Sequence, residues 1–570
     1  MLDCVHAAAC PGCTQAGVPY DQQLDRKRRR LLDALRPFPE LSAVAVAPTA
    51  PADPPLGYRT RAKWIVGPGG ALGLFARGLD HRVVDLPGCQ ILAPPLLRVA
   101  RQLREALASP GWLRDHLRAV DLREVRAPAS SGVLLTLVVH DRPPPLLDLA
   151  RAAADRLAAS TPDLLGVALN LVSPSSPQIL GPTTLHLAGL HEADDTIGSS
   201  LVRATFGAFT QAHRGQAAAL QDAIARQARG PVLELYGGSG SLGLAIARRG
   251  FPVDSVESFA PASRAAADAA ARAGVPLRAL VGDAVQIARG LARDGVSYDL
   301  VVMNPPRRGL APAVREAVAA LGPRRVAYMS CEPGTLARDL AHLARLGYGA
   351  AEVAPHDMIP QTDEVETLAL LERRPAPAPR LLLDAGEALF FAKEAHEAAE
   401  GSGGLAARVR ALPGLAGAAL AGAPEREVSG VSVFARGPGA LAAVRAALAA
   451  GTWRWVAWVR GVTHRTGSLG GGARYRRRET RGGHALLEIE ARTPQTRALR
   501  ARLAALGHPV LGDERLGHEE TNRHFFEKFG LDRPFWHGAE VHLSTPGAGA
   551  LSVACPWPAD LALPEGPKPR

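Results

Sequence analysis

Val232-Leu233-Glu234-Leu235-Tyr236-Gly237-Gly238-Ser239-Gly240-Ser241-Leu242-Gly243 is the stretch from which the fold is read. Its first residues suit a buried strand. Its glycines suit a tight turn where backbone can approach a ligand closely, and a helix starts at Ser241. A second run, Pro252-Val253-Asp254-Ser255-Val256-Glu257, ends in an acid 23 residues after Glu234. A carboxylate at such a strand tip can hold both hydroxyls of a ribose. A third acid, Asp283, follows the mostly apolar run 277–281 and can reach an adenine amino group. No Gly-Lys-Ser/Thr follows the glycines, which excludes a P-loop. From about residue 196 to 372, short apolar strands alternate with Ala-rich helical stretches, the pattern of βαβ units and a mainly parallel sheet.

This series of acids at successive strand ends resembles the S-adenosylmethionine site of class I methyltransferases. Two later segments narrow the chemistry. One is Tyr298-Asp299-Leu300-Val301-Val302-Met303-Asn304-Pro305-Pro306-Arg307-Arg308-Gly309. The other is Tyr328-Met329-Ser330-Cys331-Glu332-Pro333-Gly334-Thr335-Leu336-Ala337-Arg338-Asp339-Leu340. Each is an apolar strand entering a polar loop, at the sheet edge where open α/β folds bind ligands. An Asn-Pro-Pro loop alone also suits an amino-group methyltransferase, but that chemistry needs no thiol. Cys331 sits before a helix expected over 335–346, and a helix N-terminus is expected to lower its pKa. A thiolate that adds to carbon 6 of uracil turns the unreactive carbon 5 into an enolate carbon able to attack a methyl group. A base must then remove the proton from carbon 5. The candidate is Glu366, in Pro360-Gln361-Thr362-Asp363-Glu364-Val365-Glu366. Glu364, two residues earlier on one strand face, is the rival base, and its charge is expected to raise the pKa of Glu366.

With these motifs in order, residues 1–374 resemble the uracil-5 RNA methyltransferases that modify ribosomal or transfer RNA. The resemblance rests on Asn-Pro-Pro-Arg-Arg-Gly, Ser-Cys-x-Pro-x-Thr-Leu-Ala-Arg-Asp-Leu and Pro-x-Thr-x-x-x-Glu. It implies Cys331 as nucleophile, Glu366 as base, S-adenosyl-L-methionine as donor, and Gln211, Tyr236, Glu257, Asp283 and Asn304 as its binding residues. Four positions depart from the family pattern. Glu234 stands where Asp is usual, Gly237 where Cys is usual, His213 where Asn often follows the Gln, and Glu364 where His commonly precedes the base.

Three cysteines cluster near the N-terminus as Cys4, Cys10 and Cys13, and Cys89 follows later. Four thiolates can hold an iron–sulfur cluster or a structural zinc. The family resemblance favours [4Fe-4S], with zinc as the alternative, in a structural or RNA-positioning role. A basic helix is expected around Arg26-Lys27-Arg28-Arg29-Arg30.

The alternation Pro375-Ala376-Pro377-Ala378-Pro379 reads as an extended, semi-rigid linker. Beyond it, residues 381–560 resemble the ribosomal large-subunit type of pseudouridine synthase, an α+β fold. The resemblance lies in Arg426 to Arg436, Arg500 to Asp513 and Trp536 to Leu561. The His-Arg-Leu-Asp that carries that chemistry is replaced by Gly422-Ala423-Pro424-Glu425, and its tyrosine by Trp455, while the partner arginine is kept as Arg500. The expectation is a domain that binds RNA without isomerising it, with Arg474, Arg476, Arg477 and Arg478 on phosphates. Cys555 is expected to pack in its core.

The 570 residues divide in this reading into five parts. They are a cysteine segment (1–40), a central RNA-binding unit (41–195), the methyltransferase (196–374), the linker (375–380) and the pseudouridine synthase-like unit (381–570). The net charge of +11 points to an anionic partner, although 61 Arg against 5 Lys also reflects a GC-rich coding sequence. No apolar run spans a membrane and no secretion signal opens the chain, so a cytoplasmic protein is expected; the sequence leaves the oligomeric state open, with a monomer as the default. The overall expectation is an RNA (uracil-5-)-methyltransferase, with ribosomal RNA ahead of transfer RNA as target. The alternatives are a bifunctional methyltransferase and pseudouridine synthase, and a non-catalytic RNA-binding assembly factor.

Overall fold

The strand-and-turn stretch at 232–243 lies in the middle of a seven-stranded sheet. Strands Val232–Leu235, Val253–Glu257, Leu277–Val281, Leu300–Met303 and Arg325–Ser330 pair in parallel. Glu366–Arg373 and Tyr348–His356 close the edge antiparallel. Numbered along the chain, the spatial order is third, second, first, fourth, fifth, seventh, sixth. The order reverses beside the first strand, where open α/β sheets place their ligand crevice. Both faces are covered. One packs Leu31 and Leu35 of the helix Tyr20–Leu35 with Leu336 and Leu340 of the helix Pro333–Arg345. The other packs Leu220, Ile224, Leu244 and Ile246. Burial on both sides explains why these strands read as apolar runs rather than alternating ones.

In a computed structural model, residues 2–78, 81–128, 130–141, 147–176, 178–545 and 548–561 are described. Residue 1 and residues 562–570, the ends of the expected first and last units, lie outside them. A second seven-stranded sheet runs from Arg61 to Gly189 and is mostly antiparallel. A third, mixed sheet of ten strands runs from Leu381 to Ala554, with Trp453, Trp455 and Trp536 fully buried in its core. No helix among the described residues is long and apolar enough to cross a membrane.

The expected basic helix forms as Tyr20–Leu35, with Lys27 on its inner side buried against Asp357. The linker residues have no regular structure; Arg408 donates to the Pro377 carbonyl, and Arg338 donates to the Gly530 carbonyl on the other side of the linker. One local expectation is corrected. Glu364 precedes the strand that begins at Glu366, so the two do not share a strand face.

Candidate active site

The glycine turn and the strand-tip acids lie at the ends of neighbouring parallel strands. Tyr236, Gly238 and Gly240 have positive φ (63°, 56° and 79°), which bends the chain back over the sheet edge before the helix Ser241–Ala247. Glu257 accepts from the Gly238 amide (3.0 Å) and the Phe259 amide (2.7 Å), so it ties the first turn to the second. Asp283 caps the helix Ala284–Arg293, with Oδ1 accepting from Val285 and Gln286. Burial, with Asp283 and Asp339 nearby, pushes the Tyr236 phenol up to about 12, so it stays protonated and can donate. These groups follow three neighbouring parallel strands, and their chemistry suits a nucleoside: carboxylates for hydroxyls and an amino group, and turn backbone for close approach. Asn304 follows the fourth strand directly. Gln211 lies in the loop before the helix Arg214–Ala225, its carbonyl accepting from Thr60 Oγ1 at 2.9 Å. No hydrogen bond or ion pair among the described residues joins Gln211 or Asn304 to the other site residues.

Beneath the turn, Glu234 is buried and accepts from Ser255 Oγ (2.6 Å) and the Gly243 amide (3.2 Å). Burial raises its carboxyl to about 7. A Cβ on Gly237 would lie 2.1 Å from Ser255 Oγ and 3.0 Å from Glu234 Oε2. The two departures from the family pattern are therefore coupled. The longer acid at 234 and its serine fill the space that a side chain at 237 would need.

The reactive side gathers Cys331, Glu366 and Arg307. Cys331 is half-buried at the end of the fifth strand, immediately before the helix Pro333–Arg345. Its thiol is raised to about 11, by burial first and then by the neighbouring Glu366; Glu332 adds to the rise and Arg307 opposes it. The expected lowering by the helix N-terminus is thus corrected. The helix is capped by the Glu332 side chain, whose negative charge offsets the dipole. Glu366 is 7% exposed and raised to about 7, chiefly by burial, with Glu364 adding and Arg307 opposing. The Glu364 effect expected from the sequence is present but secondary. Glu364 itself pairs with Arg307 (3.2 Å). Arg307 is the group that the sequence reading gave no role. The signal was there, as a cation in the Asn-Pro-Pro loop opposite two acids.

A thiol and a carboxylate thus come within electrostatic reach of one another at one sheet edge. The family model described as tRNA (Uracil-5-)-methyltransferase matches residues 19–374. The chain belongs to that family. It is a S-adenosylmethionine-dependent RNA methyltransferase. Among its relatives is an uncharacterized RNA methyltransferase of Geobacter sulfurreducens, 30% identical over 388 residues, covering 65% of this chain and 77% of the relative. Another, from Gloeobacter violaceus, is 32% identical over 387 residues, covering 65% and 82%. The solved Pyrococcus abyssi tRNA (uracil-54, C5)-methyltransferase, in complex with S-adenosyl-L-homocysteine, has the same fold. Its TM-score is 0.52 at 24% identity, covering 63% of this chain and 86% of that one.

In this methyltransferase Cys4, Cys10, Cys13 and Cys89 come within electrostatic reach of one another. Burial first, then Cys89, Cys10 and Cys4, raise the Cys13 thiol to about 12, and Cys89 is also raised. The soft donor set fits a thiolate-bound metal group. Among the described residues, however, no three His, Cys, Asp or Glu side chains are arranged as a metal site.

In the third sheet, Glu425 is half-buried at the rim of an open cavity lined also by Arg426, Arg445 and Gln495. Its carboxylate accepts from the Thr496 amide (2.6 Å), the Arg497 amide (2.8 Å) and Thr496 Oγ1 (2.9 Å), at the start of the helix Arg497–Ala505. Arg500 is held by Asp513 and Glu427, each at 2.7 Å. Trp455 is buried and stacked on Trp453, ring centroids 5.5 Å apart. Tyr475 is buried while Arg474, Arg476 and Arg478 are exposed on its strand; Arg478 pairs with Glu488. Cys555 packs at the edge of this core.

Proposed function

We propose that the chain methylates carbon 5 of a uridine in structured RNA, with Cys331 as nucleophile and Glu366 as base. The observation that carries this reading is the mutual electrostatic contact of Cys331, Glu366 and Arg307 at the strand ends beside the glycine turn. Gln211, Tyr236, Glu257, Asp283 and Asn304 hold the donor, which supplies an electrophilic methyl group. The target base is flipped out of its stack into this crevice. The Cys331 sulfur forms a bond to carbon 6, and the ring electrons shift to carbon 5 and the oxygen on carbon 4. Carbon 5 takes the methyl group, and the donor's sulfur keeps the electron pair of the broken bond. Glu366 then takes the proton from carbon 5. The pair re-forms the ring double bond and Cys331 leaves as thiolate. Arg307 favours the thiolate that burial opposes.

The same reading keeps the five-part division of the chain and gives the first and second parts to RNA positioning. There Cys4, Cys10, Cys13 and Cys89 would hold a [4Fe-4S] cluster that braces the fold; methyl transfer requires no electron. The residues after the linker form an RNA-binding unit of pseudouridine synthase type. A human RNA pseudouridylate synthase domain covers 32% of this chain at TM-score 0.28, a likeness too slight to assign that fold. Ribosomal RNA is the first target to test because of the C-terminal sequence resemblance, and transfer RNA the second.

The test is transfer of labelled methyl to both RNA pools from cells lacking the protein. Wild type should label one pool at carbon 5 of uracil, and Cys331→Ala should label none. Glu366→Gln should accumulate a covalent protein–RNA adduct, because the thioether forms and cannot be resolved. Equal labelling by wild type and Cys331→Ala refutes the mechanism.

A further inference from the structure

The loop that carries Arg307 is held from behind by a charge cluster, and part of that cluster lies far outside the family span. Asp339, on the helix that follows Cys331, accepts from the Leu310 amide and from the Tyr328 hydroxyl, each at 2.7 Å. It thereby ties the 305–310 loop to the strand that leads to Cys331. Its other oxygen accepts from Arg315 and Arg338, each at 2.7 Å. Arg338 also donates to the carbonyls of Arg308 (3.1 Å) and Leu310 (3.4 Å). A Cβ on Gly309 would lie 2.5 Å from Asp339 Oδ2, so the loop is seated tightly on this carboxylate.

The charges do not balance within residues 19–374. Arg315 and Arg338 are two buried guanidiniums, and among the described residues their ion-pair partners are Asp339 and Asp532. Asp532 belongs to the third sheet's part of the chain. It is buried, pairs with Arg315 and Arg338, and lies 3.6 Å from His396 Nε2. Two neighbours on the same segment reach the cluster and the loop. The Gly530 carbonyl accepts from Arg338, and the Phe526 ring lies 5.3 Å from the Arg308 guanidinium. A second buried carboxylate is what two buried cations require.

We propose that Asp532 is a positioning residue for methyl transfer, which through Arg315 and Arg338 fixes the 305–310 loop so that Arg307 faces Cys331 and Glu366. The inference rests on the roles given above to Cys331 and Glu366. Asp532 touches no reacting atom. Its effect passes through the loop to the charges around the thiol, which are Arg307, Glu366, Glu332 and, paired with Arg307, Glu364. Loosening the loop draws Arg307 away, the thiol loses its cation, and thiolate forms only at higher pH.

The experiment compares kcat and KM from pH 6 to 10 in full-length wild type, Asp532→Asn, Asp532→Glu and Glu316→Gln, with melting curves for each. Glu316 makes another contact between the same two parts, to Arg426 at 2.6 Å, away from the loop. Asp532→Asn should lower kcat by about 10-fold or more, leave both KM values within about twofold, and move the limb for thiol ionisation to higher pH. Asp532→Glu should restore much of the rate, and Glu316→Gln should keep it. A kcat and pH limb unchanged in Asp532→Asn, or an equal loss in Glu316→Gln, overturns the inference. If Asp532→Asn does not fold, Phe526→Ala decides: an upward-shifted limb supports the inference and an unmoved limb overturns it. A wild type with no Cys331-dependent methylation overturns the underlying reading, a result distinct from these.

Discussion

Glu366 concentrates the site's electrostatics in one side chain. Its ordinary value is 4.5 and the fold raises it to about 7, mainly through burial. The folded protein therefore holds a proton that the unfolded chain releases between those values. The stability contributed is full below about pH 4.5 and is lost as pH rises through 7, a difference of roughly 3 kcal/mol. Glu366→Gln keeps the shape and removes the charge. Its melting temperature should exceed that of wild type at pH 8, and the advantage should vanish near pH 4.5. Scanning calorimetry at the two pH values checks this, and an equal difference at both would show that the carboxylate is not held neutral by the fold. The same burial explains why catalysis should quicken as pH rises above 7. The base must be ionised to take the carbon 5 proton, and the thiol, raised to about 11, gains thiolate over the same range.

The helix Tyr20–Leu35 shows how one element reaches the site without contributing a reactive group. Lys27 Nζ donates to Asp357 (2.5 Å) and to the Ile359 carbonyl (2.9 Å), and Tyr20 donates to the other oxygen of Asp357 (2.7 Å). Gln23 exchanges hydrogen bonds with Gln361, and Arg30 donates to the Asp363 carbonyl. The helix thus grips 357–363, the segment that delivers Glu366. Lys27→Met leaves a buried carboxylate without its cation and should cost about 3 kcal/mol or more in urea denaturation. Lys27→Met with Asp357→Leu should recover more than half of that loss, and an undiminished loss in the double variant would refute the pairing. These elements also mark what the sequence can disclose. The strands, the glycine turn and the acids at 257 and 283 are legible because each depends on a dozen neighbouring residues and a fixed period. The partners Lys27 and Asp357 are 330 residues apart, and nothing local announces them. The raised thiol of Cys331 was misjudged for the same reason. A helix start is visible in the sequence, whereas burial and the approach of Glu366 are products of the whole sheet.

At the scale of the molecule, the residues beyond the linker are both a docked support and a separate surface. Their candidate isomerase position is occupied with structural work. The three donors on Glu425 are the amide and hydroxyl of Thr496, the N-cap residue of one helix, and the amide of Arg497, its first residue, so the carboxylate serves as an acceptor at that helix start. A carboxylate so engaged is a poor nucleophile toward a ribose or a base, and Arg500, paired with Asp513 and Glu427, reaches it only through the Thr496 hydroxyl. Two measurements then separate support from catalysis. Purified protein incubated with either RNA pool should form no pseudouridine by mass spectrometry. Glu425→Ala should lower stability by about 1 kcal/mol, the usual worth of a lost cap, and leave methyl transfer within about twofold. Pseudouridine formed by wild type and abolished in Glu425→Ala would instead make the chain bifunctional, and the cap would have to open during turnover to free the acid.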